Sequence, residues 1–279
     1  FLKNSHTGTE TLILAGVLAK GTTIIENAAA EPEVDDLINL LNMMGAKIRR
    51  VEERTIEIEG VKDLHGVEYA IMGDPLEAAT FGCLAMATNG DIFIEGVSPE
   101  HLKYFTEKVV LAGREYDELE NGVRIYGENP LLPVDVTTTI YPGFRTDWQQ
   151  PWCVVMTQAQ GTSIIHETIF ENRFAYVDEL RKMGAIVDLY RPEVSNPNEV
   201  YNFNLENDKP EYMHAARISG HTKLKGAQVY VSDLRAGATL VIAALVADGT
   251  SVVNGVHHIE RGYEGFFDRL IDLGADVVR

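Results

Sequence analysis

One unit recurs four times along this chain, and that recurrence limits the folds open to it more than any other feature. The copies are "LAGVLAKGTTIIENAAAEPEVDDLINLLNMMGAKI", "CLAMATNGDIFIEGVSPEHLKYFTEKVVLAGREY", "VMTQAQGTSIIHETIFENRFAYVDELRKMGAIVDL" and "IAALVADGTSVVNGVHHIERGYEGFFDRLIDLGADVV". Each reads as an apolar helix, a glycine turn, a β-branched strand, a short loop, a second helix and a glycine that stops it. The turn glycines Gly21, Gly90, Gly161 and Gly249 precede the helix-ending glycines Gly45, Gly113, Gly184 and Gly274 by 24, 23, 23 and 25 residues. Spacing that regular predicts an α/β (α+β) protein with helices packed on short sheets. The turn glycines advance by 69, 71 and then 88 residues, so an insertion precedes the last unit. "RPEVSNPNEVYNFNLENDKPEYMH" (Arg191 to His214), rich in Asn, Pro and Asp, is its location and is expected to be an exposed excursion.

With 279 residues, 45% of them hydrophobic, the chain has apolar material for two medium cores. A net charge of −18 excludes the basic stripe that nucleic acid requires, although a few cations focused in a cleft can still hold a small anion. Cys83 and Cys153 lie in the apolar segments "FGCLAMA" and "PWCVVM" and read as buried small hydrophobes, which fits a reducing cytoplasm. No long uninterrupted apolar run predicts a membrane span. No His/Cys/Asp spacing suggests a metal site. The chain opens on "FLKNSHTGTE" without an initiator Met, as a chain beginning in mid-protein would.

A polar motif stands at the start of each first helix: "KNSHTGTE", "GDPLEAAT", "GFRTDWQQ" and "SDLRAGAT". Asp74, Asp147 and Asp233 occupy places suited to an N-cap, as do Ser5, Thr7 and Thr9 in the first unit. Capping does not account for Arg145 and Arg235, because the positive end of a helix dipole disfavours a cation unless an anion compensates. Arg173 in "FENRF" and Arg261 in "HIERGYE" stand just ahead of second helices. Each alone is an ordinary ion-pair partner; gathered at one end of the repeats with the helix N-termini, they make a floor that grips carboxylate or phosphate. His257 and His258 fall in a run that reads as a strand, one facing inward and one outward.

"GTTIIENAAAEPEVDDL", "TIFENRFAYVDELRKMGA", "SDLRAGATLVIAALVADGT" and "HHIERGYEGFFDRLIDLGA" resemble the enolpyruvyl transferases, in particular the UDP-N-acetylglucosamine 1-carboxyvinyltransferase branch, over nearly the whole chain outside the insertion. The resemblance implies an inside-out α/β barrel of βαβαββ-type units around pseudo-threefold axes, in two domains with ligands between them. On that pattern residues 1–70 are the last unit of an incomplete first domain, and residues 71–279 are a second domain of three units with the insertion near 191–214. About two N-terminal units would be absent, with the family's reactive-cysteine loop and its Lys-Asn pair; Cys83 and Cys153 do not match that cysteine.

The activity implied is transfer of the enolpyruvyl group of phosphoenolpyruvate to the 3-hydroxyl of UDP-N-acetylglucosamine with release of phosphate, the first committed step of peptidoglycan precursor synthesis, in the cytoplasm and without a cofactor. By motif position Asp147 is the base, since a sugar hydroxyl is a poor nucleophile until a carboxylate takes its proton. Asp233, Arg235 and Arg261 match the phosphoenolpyruvate side, and Arg173 matches another cleft arginine. Ile169 and Phe170 match residues flanking uridine, and Lys3 and Ser5 match residues near the diphosphate. Thr7 replaces a glycine, Pro75 an arginine, and Pro151 and Trp152 residues that are commonly Ala or Gln and Phe. Those departures keep open a non-catalytic nucleotide-sugar-binding paralogue. The sister enzyme acting on shikimate 3-phosphate is a further alternative, disfavoured by "TIFENRF" and "HIERGYE".

Overall fold

The repeat becomes visible where its glycines turn the backbone. In the computed structural model, which describes Phe1–Val278, Gly45, Gly113, Gly184 and Gly274 end the second helices at φ of +102°, +82°, +93° and +92°, a region that side chains with a Cβ rarely adopt. At the earlier turn the second unit departs from the pattern, because Asn89 (φ 53°) takes the left-handed position in place of Gly90.

The first unit comprises α1 (His6–Val17), β1 (Thr22–Glu26), α2 (Pro32–Met43), β2 (Lys47–Glu52) and β3 (Thr55–Glu59), with an antiparallel sheet in the order β1-β3-β2. The second repeats it as α3 (Pro75–Thr88), β4 (Ile92–Glu95), α4 (Pro99–Leu111), β5 (Glu115–Leu119) and β6 (Gly122–Tyr126), in the order β4-β6-β5. The third adds a leading strand: β7 (Val136–Thr137), α5 (Thr146–Thr157), β8 (Thr162–His166), α6 (Val177–Lys182), β9 (Ile186–Tyr190), α7 (Pro197–Val200) and β10 (Ala215–Ser219). Its sheet runs β7-β8-β10-β9, with β7 parallel to β8 across the α5 crossover. The fourth has β11 (Gln228–Tyr230), α8 (Leu234–Val246), β12 (Val252–Asn254) and α9 (Phe266–Asp272), with β11 and β12 parallel.

The two helix types in each unit differ because their apolar patterns differ. In α2 the buried residues Val34, Ile38 and Leu41 recur at helical spacing, so one stripe covers the sheet and the other face meets water. The helices α3, α5 and α8 are buried on most sides and pack against one another as a central trio, with ten of the twelve residues of α5 buried, Gln149 and Gln150 among them. The corresponding helix of the first unit, α1, buries Thr9, Ile13, Gly16 and Val17 but leaves Leu12 and Leu14, and Leu18 just past its end, at 43%, 56% and 57% exposure. Pro151, the sixth residue of α5, sits deeper than the first turn and removes one backbone donor from the helix ladder.

Two hydrophobic cores form. One runs from Ile13 to Ile58 inside the first unit; the other joins residues from Ala78 to Leu270 across the remaining three. Polar contacts join the two bodies: the Arg145 guanidinium grips Glu33 through bonds of 2.5 and 3.0 Å, and Arg54 donates to the Tyr141 carbonyl. The segment Arg191–His214 is largely at the surface, as expected from its composition, but is anchored by three buried residues. Tyr201, Phe203 and His214 are buried and pack against one another, because the aromatic residues among its polar ones make a small core of their own. His257 and His258 lie in a 3-10 turn (Val256–Arg261) rather than a strand, their rings 4.2 Å apart and neither of them buried. No helix among the described residues is long and apolar enough to cross a membrane.

Candidate functional site

The first turns of α3, α5 and α8 approach one another at one end of the trio. Asp74 caps α3 by accepting from Leu76 N at 2.7 Å, and Asp233 caps α8 by accepting from Ala236 N at 2.9 Å. Asp147 does not follow them into a capping role. It is the second residue of α5, where Arg145 takes the N-cap position, and its carboxylate instead meets two guanidiniums: Arg173 Nη2 at 2.6 Å and Arg235 Nε at 3.4 Å. The placement of Arg235 just inside α8, which capping could not explain, is thus matched by a carboxylate from α5 and by the charge of Asp74 from α3.

Arg235 is largely buried, its side chain 11% exposed, and its guanidinium lies 5.1 Å over the ring of Tyr263. Burial works against the cation, but Tyr263, Asp147 and Asp74 outweigh it and raise its pKa above the usual arginine value. Tyr263 is buried in turn, its hydroxyl 2.8 Å from Thr80 Oγ1 on α3, and burial pushes that hydroxyl's pKa up. Arg235 is therefore seated on a neutral, fixed ring. Two guanidinium nitrogens in the cluster, Arg235 Nη1 and Arg173 Nε, are buried and have no hydrogen-bond partner among the described residues. Buried donors are rarely left so, and here they lie beside three helix N-termini. An anion arriving at this floor finds donors already oriented.

Arg173 comes from the loop that follows β8, and a buried acid that sequence reasoning did not single out shapes this loop. Glu167 is fully buried; its Oε1 accepts from Thr138 Oγ1 (2.9 Å), Ile169 N (2.8 Å) and Phe170 N (3.1 Å), and its Oε2 accepts from Thr146 Oγ1 (2.8 Å). One carboxyl thereby ties the loop carrying Ile169, Phe170 and Arg173 to the residue immediately before Asp147. Burial raises its pKa, against the lowering effect of those bonds. The signal available in "SIIHETIF" was an acid closing an apolar strand, a position that requires satisfied partners. Phe170 stays 47% exposed with its ring 5.2 Å from the Arg173 guanidinium. Tyr263, in "ERGYEG", was missed likewise.

The remaining candidates lie elsewhere. Arg261 is exposed at the end of the 3-10 turn and forms no ion pair among the described residues. Arg145, expected with the ligand-gripping cations, is 6% exposed and committed to Glu33, because α2 presents an acid opposite it. In the first unit Ser5 caps α1 by accepting from Gly8 N at 3.1 Å, and Thr7 is exposed on the helix's first turn. The Lys3 ammonium donates to the carbonyls of Asn198 (2.7 Å) and Tyr201 (2.6 Å). Cys83 and Cys153 are buried; burial drives the Cys83 thiol pKa well up and that of Cys153 to about 12, which disfavours the nucleophilic thiolate.

Known proteins share this fold and much of this sequence. A UDP-N-acetylglucosamine 1-carboxyvinyltransferase of Thermodesulfovibrio yellowstonii is 45% identical over 98% of this chain and 61% of its own length. One from Protochlamydia amoebophila is 40% identical over 96% of the chain and 57% of its own length. The chain thus spans about three fifths of these relatives. Among solved structures, the enolpyruvyl transferase NikO from Streptomyces tendae superposes with a TM-score of 0.81 at 25% identity, over 97% of this chain and 59% of that one. An EPSP synthase from Acinetobacter baumannii shares the fold at a TM-score of 0.68 and 18% identity, over 96% of this chain and 60% of its own. Residues 2–270 match the family model described as EPSP synthase (3-phosphoshikimate 1-carboxyvinyltransferase), a span that includes every residue of the arginine–aspartate cluster. With fold, span and sequence in agreement, the chain belongs to the EPSP synthase family.

Proposed function

We propose that the protein carrying this chain transfers the enolpyruvyl group of phosphoenolpyruvate to the 3-hydroxyl of UDP-N-acetylglucosamine with release of phosphate. The observation that carries this reading is Asp147 held between Arg173 and Arg235 at converging helix N-termini. The names of the relatives at 40% and 45% identity favour the nucleotide sugar over shikimate 3-phosphate as acceptor.

On this reading the phosphate and carboxylate of phosphoenolpyruvate take up guanidinium donors, including the orphaned Arg235 Nη1 and Arg173 Nε, and compete with Asp147 for the rest. The Asp147 carboxylate so released accepts the proton of the 3-hydroxyl as its oxygen bonds to C2 of the enol. The methylene carbon takes a proton delivered through water, giving a tetrahedral adduct that still carries its phosphate, and Asp147 returns its own proton to solvent. Loss of phosphate from C2, with transfer of a methyl proton to the departing phosphate, restores the double bond. The cations stabilise charge that grows on the departing phosphate, and they do so with little reorganisation because Tyr263 and Glu167 already fix their surroundings. Asp233 completes the cluster as the cap of α8, and the exposed Arg261 is a further cation for the same donor. Ile169 and Phe170 flank the uridine, and Lys3, Ser5 and Thr7 line the diphosphate side.

We read α1 as a member of a second trio like α3, α5 and α8, whose other two helices come from sequence outside this chain and cover Leu12, Leu14 and Leu18. The product feeds peptidoglycan precursor synthesis in the cytoplasm.

The test is phosphate release from phosphoenolpyruvate by the protein carrying this chain, with UDP-N-acetylglucosamine or shikimate 3-phosphate as acceptor, beside Asp147→Asn. Release that needs the nucleotide sugar and falls by roughly 10²-fold or more in the variant supports the reading. Nucleotide-sugar binding without release from either acceptor would replace it with a non-catalytic binding paralogue.

A further inference from the structure

The segment Arg191–His214 stands outside the repeat, yet it touches both bodies of the protein. Asn202 is where they meet. Its main-chain N–H donates to the Thr168 carbonyl at 2.7 Å, one residue before Ile169. Its side-chain amide makes a reciprocal pair with the backbone of Asn4 in the first unit: Asn4 N donates to Oδ1 at 3.0 Å, and Nδ2 donates to the Asn4 carbonyl at 2.8 Å. The same segment supplies the carbonyls of Asn198 and Tyr201 to the Lys3 ammonium.

The segment is built to hold that position. Tyr201 and Phe203 stack at 4.9 Å, and His214 packs on both at 5.0 and 5.1 Å. Asp208 clasps the two ends, accepting from Arg191 at 2.5 Å and lying 3.1 Å from His214 Nε2. An ammonium has three N–H donors on a flexible stem. With two of them on fixed carbonyls, the direction of the third is set before any ligand arrives, and the ordering of the stem no longer opposes binding.

We infer that Asn202 is a positioning residue of the nucleotide-sugar site: it fixes the Lys3–Ser5 flank relative to the Ile169–Phe170 flank, and the strap it belongs to leaves one Lys3 donor for the ligand's diphosphate. This rests on the reading that those two flanks hold UDP-N-acetylglucosamine. The cleft is then set by the strap as well as by the repeat that surrounds it.

Binding of UDP-N-acetylglucosamine by calorimetry and its steady-state kinetics, on the protein carrying this chain, test it. The variants are Asn202→Ala, Lys3→Ala, the double variant, and Asn202→Asp, which keeps the acceptor for Asn4 N but loses the donor. Asn202→Ala is expected to weaken nucleotide-sugar binding and raise its KM roughly tenfold, the scale of one charge-assisted hydrogen bond, with kcat changed less than about twofold. Asn202→Asp turns an anionic oxygen towards the Asn4 carbonyl and the diphosphate side, so it should weaken binding at least as much as alanine, and it carries the test if the alanine variant does not fold. Added to Lys3→Ala, Asn202→Ala should weaken binding by less than it does alone, because part of its effect runs through the position of Lys3. Lys3→Ala weakening binding while Asn202→Ala and Asn202→Asp leave it unchanged overturns the inference and leaves the functional reading standing. Equal losses from Asn202→Ala with and without Lys3 also overturn it. A parent protein that does not bind the nucleotide sugar overturns both.

Discussion

Replacing Arg145 by Met cuts the strongest polar contact between the two bodies. The Arg145 side chain is 6% exposed and that of Glu33 21%, and the guanidinium holds both carboxylate oxygens, at 2.5 and 3.0 Å, while lying over the rings of Tyr141 and Trp148. Removing one partner of a buried pair costs about 3–5 kcal/mol, chiefly because the other charge stays buried alone; the partial exposure of Glu33 puts the expected loss near about 3 kcal/mol. The double variant Arg145→Met/Glu33→Leu removes both charges at similar volume and should return to within about 1 kcal/mol of the parent. Urea unfolding followed by circular dichroism and by fluorescence suits the test, since Trp148 and Trp152 are the only two tryptophans and the first lies 5.5 Å from this guanidinium.

The pH dependence sharpens the prediction. Burial by itself raises the Glu33 pKa, but the Arg145 hydrogen bond and charge outweigh it and hold it below the ordinary value. A carboxyl depressed on folding stabilises the fold above its unfolded pKa of about 4.3, and that contribution fades as pH falls through the lower folded value. In Arg145→Met burial is opposed only by a backbone hydrogen bond and by His6, the lesser causes, so the pKa moves up and the deficit against the parent narrows as pH drops from about 7 towards 5. A loss below about 1 kcal/mol, the cost of an exposed pair, or a double variant no better than the single one, refutes the reasoning.

Glu167→Ala should cost about 2–4 kcal/mol by orphaning the hydroxyls and amides it accepts, with faster hydrogen exchange at Ile169 and Phe170 measured by NMR. Gly82→Ala adds a Cβ at 2.8 Å from both Ile125 Cδ1 and Phe105 Cε1, and thermal unfolding should register an overpacking cost of about 1–3 kcal/mol. Neither cysteine should react with a disulfide reagent at pH 8 until denaturant is added, when both do. Burial raises the Asp208 pKa, but the bond to Arg191 and the contact with His214 outweigh it and hold it low; the clasp should be fully present above the free aspartate value of about 3.9 and open as pH falls through the lower folded value, read as acid-protease cleavage within 191–214.

The sequence by itself determined the repeat. Glycine is the residue that takes a left-handed backbone without strain, so the helix ends and the unit length were readable from Gly45, Gly113, Gly184 and Gly274. It marked the first helix of each unit as apolar, without showing that α3, α5 and α8 form the central trio and α1 does not. The cluster was legible in part: an arginine at a helix start signals a nearby anion, and for Arg235 that anion is Asp147. Which anion each arginine meets was not legible, since partners far apart in sequence are set by how units pack. Arg145 looked like Arg235 in the chain and found Glu33, 112 residues away. Glu167 and Tyr263 escaped notice for the same reason, as an acid or an aromatic in an apolar run acquires a role only from neighbours in other units. Composition marked the insertion as solvated, whereas tertiary contacts made it a strap, because Tyr201, Phe203 and His214 bury one another only when the chain folds back on itself. Local backbone preference is written residue by residue; the pairing of charges across a cleft depends on distances that only the assembled units fix.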